Sequence, residues 1–418
     1  MTAPRTARLA AGTLALSLAV LTTSVAAQQA EPQVRPETSF VLAGSLHEGR
    51  GDDMSGGDAV DAGGADDSRY YTGGQFGLAF SRRGRRLSVV ADANGGARYF
   101  RDLSHIESVG HRASAGVELR LGRSRLQAGH AYFDTPFQQL LPQIGVEGES
   151  TRSASDPDSS LSSTHTVQQA STVGWRRGLG RRSELAFNYG FSTTKVGDAA
   201  VQDVHQGGSS FRHRIGRGIE LKLGHQARLF EDSLRGTGAR VVAHDLDLGV
   251  DLERELSFSR RSRVAFTSGS SIVSSDLGRR FVATGQASLK HEINRTWNAV
   301  AAFARKVDFV EGLPDAVIGQ TGSLRLGGSW GQRLGLMLRG SAGSGVIGVE
   351  GDSTYRSITT QARASLTLSP AWNWYVEHFY YQHTINGAFL RTGVPADAFR
   401  TGVRTGLDVR LDAIRRRR

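Results

Sequence analysis

Hydrophobic and polar side chains alternate with a period of two through much of this chain. Over 357–368, Ile358, Thr360, Ala362, Ala364, Leu366 and Leu368 share one parity, and Ser357, Thr359, Gln361, Arg363, Ser365 and Thr367 the other. Phe281, Ala283, Gly285, Ala287 and Leu289 oppose Val282, Thr284, Gln286, Ser288 and Lys290 in the same way. So do Leu246, Leu248, Val250 and Leu252 against Asp245, Asp247, Gly249, Asp251 and Glu253. Successive side chains of a strand point to opposite faces, so this pattern predicts strands with one apolar and one polar face.

Between the alternating runs lie short Arg- or Gly-rich turns, at 82–86, 122–124, 178–182, 215–218, 257–262, 293–296, 331–333 and 369–371. Each joins two runs into a hairpin. One further run precedes the hairpins (40–47) and one follows them (near 399–411), which gives 18 strands. Runs of about ten residues suit a bilayer crossing. Short and long connections alternate strictly along the chain, whereas a soluble sandwich has no such asymmetry between its ends. The expected fold is therefore all-β: an up-and-down antiparallel transmembrane β-barrel of about 18 strands. An even strand number brings both ends to the same side. The runs at 168–175 and 375–381 alternate least well.

The start of the chain sets the compartment. Arg5 and Arg8 precede an apolar stretch over 9–22, and Val25, Ala26 and Ala27 then offer small residues for cleavage. That is the layout of a secretory signal peptide, too short for a membrane helix. The predicted organisation is a signal peptide over 1–27, a short periplasmic segment over 28–39, the barrel over 40–414 and a basic tail over 415–418. The chain has no Cys, so no disulfide framework is available despite export. A pI of about 10.3 would suggest nucleic acid for a cytosolic protein, but export removes that partner.

The positions of the charges account for the excess. Arg82, Arg83, Arg85, Arg86, Arg176, Arg177, Arg181, Arg182, Arg260, Arg261 and Arg415, Arg416, Arg417 and Arg418 lie at short turns or the C-terminus. The long connections lean acidic, with Asp52, Asp53, Asp58, Asp61, Asp66 and Asp67 in the first and Glu147, Glu149, Asp156 and Asp158 in the third. The expectation is an arginine collar on inner-leaflet headgroups. The acidic outer loops would then face lipopolysaccharide and bind divalent cations weakly. No other cofactor or metal is expected.

At the last run the chain resembles the porin-like bacterial outer-membrane β-barrel proteins. Arg404, Gly406, Val409 and Leu411 match the spacing of the polar, glycine and two hydrophobic positions of their C-terminal assembly signal. The resemblance implies recognition by the barrel-assembly machinery. A terminal aromatic is usual in that family, and here Ala413 and Ile414 lead into arginines instead.

The polar parity predicts a wall bearing Glu118, Arg120, Glu184, Glu220, Lys222, Arg228, Asp245, Asp247, Asp251, Glu253, Lys290, Arg325, Arg339, Arg363, Arg404, Asp408 and Arg410. Eighteen strands leave room for an aqueous channel, and charged rings on its wall would bias ion passage. Phe137, Leu140, Leu141 and Ile144 lie in a long connection and would gain by folding into the mouth, which makes them candidate constriction residues. No nucleophile, base and orienting group come together by spacing, so no enzyme is expected. The glycine-rich run 340–345 enters no helix and is expected as an outer-loop hinge rather than a phosphate loop. The expected function is a passive pore for small hydrophilic solutes. The alternatives are an exopolysaccharide-export barrel with a periplasmic polysaccharide-export partner, and a closed structural or adhesive barrel.

Overall fold

The computed structural model describes residues 37–52, 68–100, 105–138, 160–196, 200–216, 218–232, 239–256, 259–276, 278–309, 313, 315–351, 353–387 and 397–417. The first strands are β1 (Glu37–Asp52), β2 (Ser68–Arg83), β3 (Leu87–Phe100), β4 (His105–Leu121), β5 (Ser124–Gln138) and β6 (Ser160–Gly178). Next come β7 (Ser183–Val196), β8 (Ala200–Gly216), β9 (Ile219–Asp232), β10 (Ala239–Leu256), β11 (Ser259–Ser275) and β12 (Gly278–Glu292). The last are β13 (Trp297–Phe309), β14 (Ala316–Trp330), β15 (Leu334–Ile347), β16 (Ser353–Ser369), β17 (Trp372–Asn386) and β18 (Asp397–Arg417). Each strand pairs antiparallel with its neighbours in sequence, and β1 pairs with β18, so the 18-stranded sheet closes on itself.

All eight short turns fall where the alternation pattern puts them. Gly122 (φ 60°) and Gly331 (φ 66°) sit in the left-handed region that a tight hairpin requires and that side chains with a Cβ avoid. The strands are longer than a bare bilayer crossing. They run on past the membrane and absorb residues expected in loops. For this reason the connections at the other end are not uniformly long. Val196 and Ala200 are separated by three residues, and Ser275 and Gly278 by two, so strict alternation of short and long connections does not hold. The run 340–345 lies inside β15 rather than at a hinge. There Gly345 leaves room for Tyr355, whose Cε1 would stand 2.6 Å from a Cβ. Strand β18 continues to Arg417, pairing Arg415, Arg416 and Arg417 with Ser39, Thr38 and Glu37, where a tail was expected. The signal-peptide residues lie outside the described part of the chain.

Directly opposed residues of a ladder share a face, so the registers carry one face around the whole barrel. The outward face presents large apolar side chains to the surroundings: Phe76, Leu223, Leu248, Phe281, Leu324 and Leu338 are each more than half exposed. An apolar belt of this extent is stable against lipid and not against water. All five tryptophans, Trp175, Trp297, Trp330, Trp372 and Trp374, lie on this face within a few residues of the short turns. Indole rings prefer the membrane–water interface, so they mark the bilayer boundary at the short-turn end. The barrel is thus a transmembrane one, crossing with strands.

Candidate functional site in the lumen

The inward face carries the charge. Pair by pair, the registers place Glu118, Arg120, Glu184, Glu220, Lys222, Arg228, Asp245, Asp247, Lys290, Arg325, Arg339, Arg363, Arg404, Asp408 and Arg410 on this one face. The side chains of Asp251 and Glu253 lie outside the described residues. Many inward charges meet a partner on the same strand or the next one. Arg120 Nε donates to Glu118 at 2.6 Å and Gln127 Nε2 to the same carboxylate at 2.9 Å. Arg212 approaches Glu220 at 3.8 Å, and Arg228 donates to Asp245 at 2.8 Å.

The densest network spans β16, β17 and β18. Glu377 is fully buried and accepts from Arg404 at 2.8 Å and Arg363 at 3.3 Å. Arg363 also donates to Asp408 and lies 3.8 Å from the centroid of the Tyr375 ring. Buried ions of opposite sign hold one another in place once desolvated. Sequence reasoning missed Glu377 because β17 carries aromatic side chains on both faces: Tyr375, Phe379 and Tyr381 point inward, and Trp374 and Tyr380 outward. The inward rings find space because glycines face them across the ladder. A Cβ on Gly402 would stand 2.5 Å from Phe379 Cζ, and one on Gly49 the same distance from Tyr71 Cζ.

Cations predominate on the wall from β14 round to β4. Arg325 and Arg339 are directly opposed, Gln361 faces Arg339 on the next strand, and Arg363, Arg400 and Arg404 follow. Arg98 and Arg112, also inward and also missed in sequence, extend the row. Like charges directly opposed across a ladder repel.

Part of the chain folds inside the barrel and lies along its inner wall. Strands β12 and β13 pair only from Glu292↔Asn298 to Gly285↔Arg305, although β12 begins at Gly278 and β13 ends at Phe309. Beyond that rung β13 parts from β12, and the end of the β13–β14 hairpin, still paired with β15 through Val317↔Ile347, packs against the inner wall. Phe309 stacks on Phe230 of β9, with centroids 5.1 Å apart and planes at 3°. Strand β9 is four places round the barrel, about 19 Å away at normal strand spacing. Asp308 stands 3.7 Å from Arg228, whose guanidinium lies 5.3 Å from the Phe309 centroid. Gln202 of β8 donates to the Leu313 carbonyl at 2.9 Å. Val307, Ala316 and Ile318 of the hairpin join Phe230, Val241, Ala243, Val273 and Val282 of the inner wall in one buried apolar cluster. Val349, in the β15–β16 connection, belongs to the same cluster, and its carbonyl accepts from Arg280 at 3.4 Å.

The constriction candidates expected in sequence lie elsewhere in the chain. Strand β5 runs on through Phe137 to Gln138, and Leu140, Leu141 and Ile144 lie outside the described residues, as do the acidic side chains of the first and third long connections. The collar arginines Arg82, Arg83, Arg85, Arg86, Arg177, Arg181, Arg182 and Arg261 are exposed at the short-turn end. Of the expected assembly signal, Arg404 and Gly406 face inward, and Val409 and Leu411 share the outward parity of β18.

No family model matches the chain, and no curated protein does. Among solved structures it is similar to OccK2 (OpdF) of Pseudomonas aeruginosa in complex with glucuronate, at 11% identity and a TM-score of 0.48, covering 90% of this chain and 98% of that one. It is also similar to OprD of Pseudomonas aeruginosa, at 12% identity and a TM-score of 0.45, with 90% and 96% covered. OccAB4 of Acinetobacter baumannii gives 7% identity and a TM-score of 0.44, with 91% and 99% covered.

Proposed function

We propose that the protein is a passive outer-membrane pore for small hydrophilic solutes, with a preference for anions. The observation that carries this reading is the charged inner wall, on which Arg325, Arg339, Arg363, Arg400 and Arg404 follow one another across β14, β15, β16 and β18. An 18-stranded barrel is wide enough to hold water, and fixed positive charge on its wall raises the local concentration of anions. The hairpin packed against the inner wall narrows the lumen, which favours small solutes over a polymer chain and sets the export reading second. The short-turn end, with its tryptophan girdle and exposed arginines, faces the periplasm in this reading, where those arginines meet phospholipid headgroups. The long-loop end faces outward, toward lipopolysaccharide.

Planar-bilayer recording of the purified protein tests this. Discrete ohmic steps are expected, with a reversal potential in a KCl gradient that favours chloride. A properly inserted barrel with no conductance would turn the reading to a closed structural barrel.

A further inference from the structure

We propose that the tip of the β13–β14 hairpin is a gate with two seats: the tucked seat seen here, and a second seat in the barrel wall that completes the β12–β13 ladder. This inference deepens the pore reading by naming how the same lumen is regulated.

Three observations carry it. The first is the interrupted ladder. Strand β12 extends from Gly285 back to Gly278, and β13 from Arg305 on to Phe309, both in strand conformation and both beyond their last shared rung. Every other neighbouring pair of strands from β13 to β18 stays in register nearly to its ends. Continued in the same register, Ala283 meets Val307 and Phe281 meets Phe309. A strand edge left without its ladder in a barrel wall is a template for pairing, and its natural complement is the strand already hinged beside it.

The second is parity. On the hairpin tip Val307, Phe309 and Ile318 share the outward face, and Lys306 and Asp308 the inward one. In the tucked seat the outward face packs on the inner wall, against Phe230, Val241, Val273 and Val282. In the wall seat that same apolar face would meet lipid beside Phe281, itself 68% exposed, while Lys306 and Asp308 would face lumen water. One sequence pattern satisfies both seats. Two packings of one segment that bury the same side chains are the condition for a bistable element.

The third is the latch. The tucked seat is held by a few discrete polar contacts: Arg228 between Asp245 at 2.8 Å and Asp308 at 3.7 Å, and Gln202 on the Leu313 carbonyl at 2.9 Å. Arg228 and Gln202 belong to β9 and β8, so neither contact survives a return of the hairpin to the wall.

The chain has no native Cys, so paired cysteines report the seat directly. In Ala283→Cys/Val307→Cys, oxidation is expected to link the two strands in folded, membrane-inserted protein, and Arg228→Ala added to that pair should raise the linked fraction at least twofold. Phe281→Cys/Phe309→Cys is the second pair, for use if the first does not assemble. The linked form should conduct more than its reduced form. If neither pair links, with or without Arg228→Ala, in barrels that are folded by heat-modified gel mobility, the second seat does not exist. If the pairs link and conductance is unchanged, the hairpin moves but does not gate, which overturns the gate. Absence of conductance in every form, linked or not, fails the pore reading and leaves the linkage result to decide whether the second seat exists.

Discussion

Arg404 Nη2 stands 2.8 Å from Glu377 Oε1, and neither side chain reaches water: the exposures are 4% and 0%. The pair ties β18 to β17, and Arg363 draws β16 into the same network at 3.3 Å. Removing one member of a buried ion pair leaves the other uncompensated, which costs about 3–5 kcal/mol. Glu377→Ala is therefore expected to lower the unfolding free energy of the detergent-solubilised barrel by about that much. Glu377→Ala/Arg404→Met should recover a good part of it. A single substitution costing under about 1 kcal/mol would mean that the two arginines find water instead.

Facing is tested along one ladder. Leu338 and Leu366 both point outward, Leu338 opposite Ala362 and Leu366 opposite Leu334. Leu366 lies three residues from the turn, close to the interface, whereas Leu338 lies deeper. Leu338→Arg should destabilise by roughly 2–4 kcal/mol, and Leu366→Arg by about 0–1 kcal/mol. Thr367→Arg, on the inward parity, should be tolerated. Equal cost at all three positions in an equilibrium unfolding titration would contradict the assigned faces.

Most of the fold was legible in the chain, because a barrel wall writes its two faces into parity and its turns into glycine and arginine. All eight turns follow from that. The five tryptophans were an additional signal that parity alone does not use: each precedes or follows a short turn by a few residues. What was not legible has two physical causes. Strand β17 has aromatics on both faces, and the glycines that make this possible, such as Gly402 beneath Phe379, belong to other strands. The hairpin tuck was silent for a different reason. Val307, Phe309 and Ile318 are as suited to lipid as to the inner wall, so their pattern does not distinguish a hairpin in the wall from one folded inside it.

The glycine and aromatic pair across β17 and β18 has its own consequence. A Cβ on Gly402 would come within 2.5 Å of Phe379 Cζ and 2.9 Å of the Arg50 carbonyl oxygen. Overpacking of this kind costs typically about 1–3 kcal/mol. Gly402→Ala should destabilise by that amount, and Phe379→Ala in the same chain should relieve only the part due to the ring. Full additivity of the two substitutions in a double-mutant cycle would show that the ring is free to move aside.

Orientation is open to single-cysteine labelling. Gly180 is exposed in the β6–β7 turn, and Glu350 is exposed in the β15–β16 connection at the opposite end. On intact cells Glu350→Cys should react with an impermeant thiol reagent, and Gly180→Cys only after the outer membrane is opened. The reverse order would place the arginine turns on the cell exterior and invert the proposed topology.

Arg325 and Arg339 face each other directly across β14 and β15 on the inward side. In water a unit charge acts on an ion 10 Å away with about 0.4 kcal/mol, close to a factor of two in local concentration. Removing both charges should therefore lower local chloride about fourfold and raise local potassium about fourfold, roughly a sixteenfold change in their ratio, before any loss from the arginines beside them. The double variant Arg325→Gln/Arg339→Gln keeps a shorter, neutral hydrogen-bonding side chain at each position and removes a like-charge opposition across the ladder. The measurement is the reversal potential in a tenfold KCl gradient, taken at low and at high total salt. The shift toward potassium should be largest at low salt, because mobile ions screen wall charge more strongly as their concentration rises. An unchanged reversal potential at low salt would remove this pair from the selectivity of the lumen and move it to the charges of the tucked hairpin, Lys306 and Asp308, which Lys306→Gln and Asp308→Asn would then test.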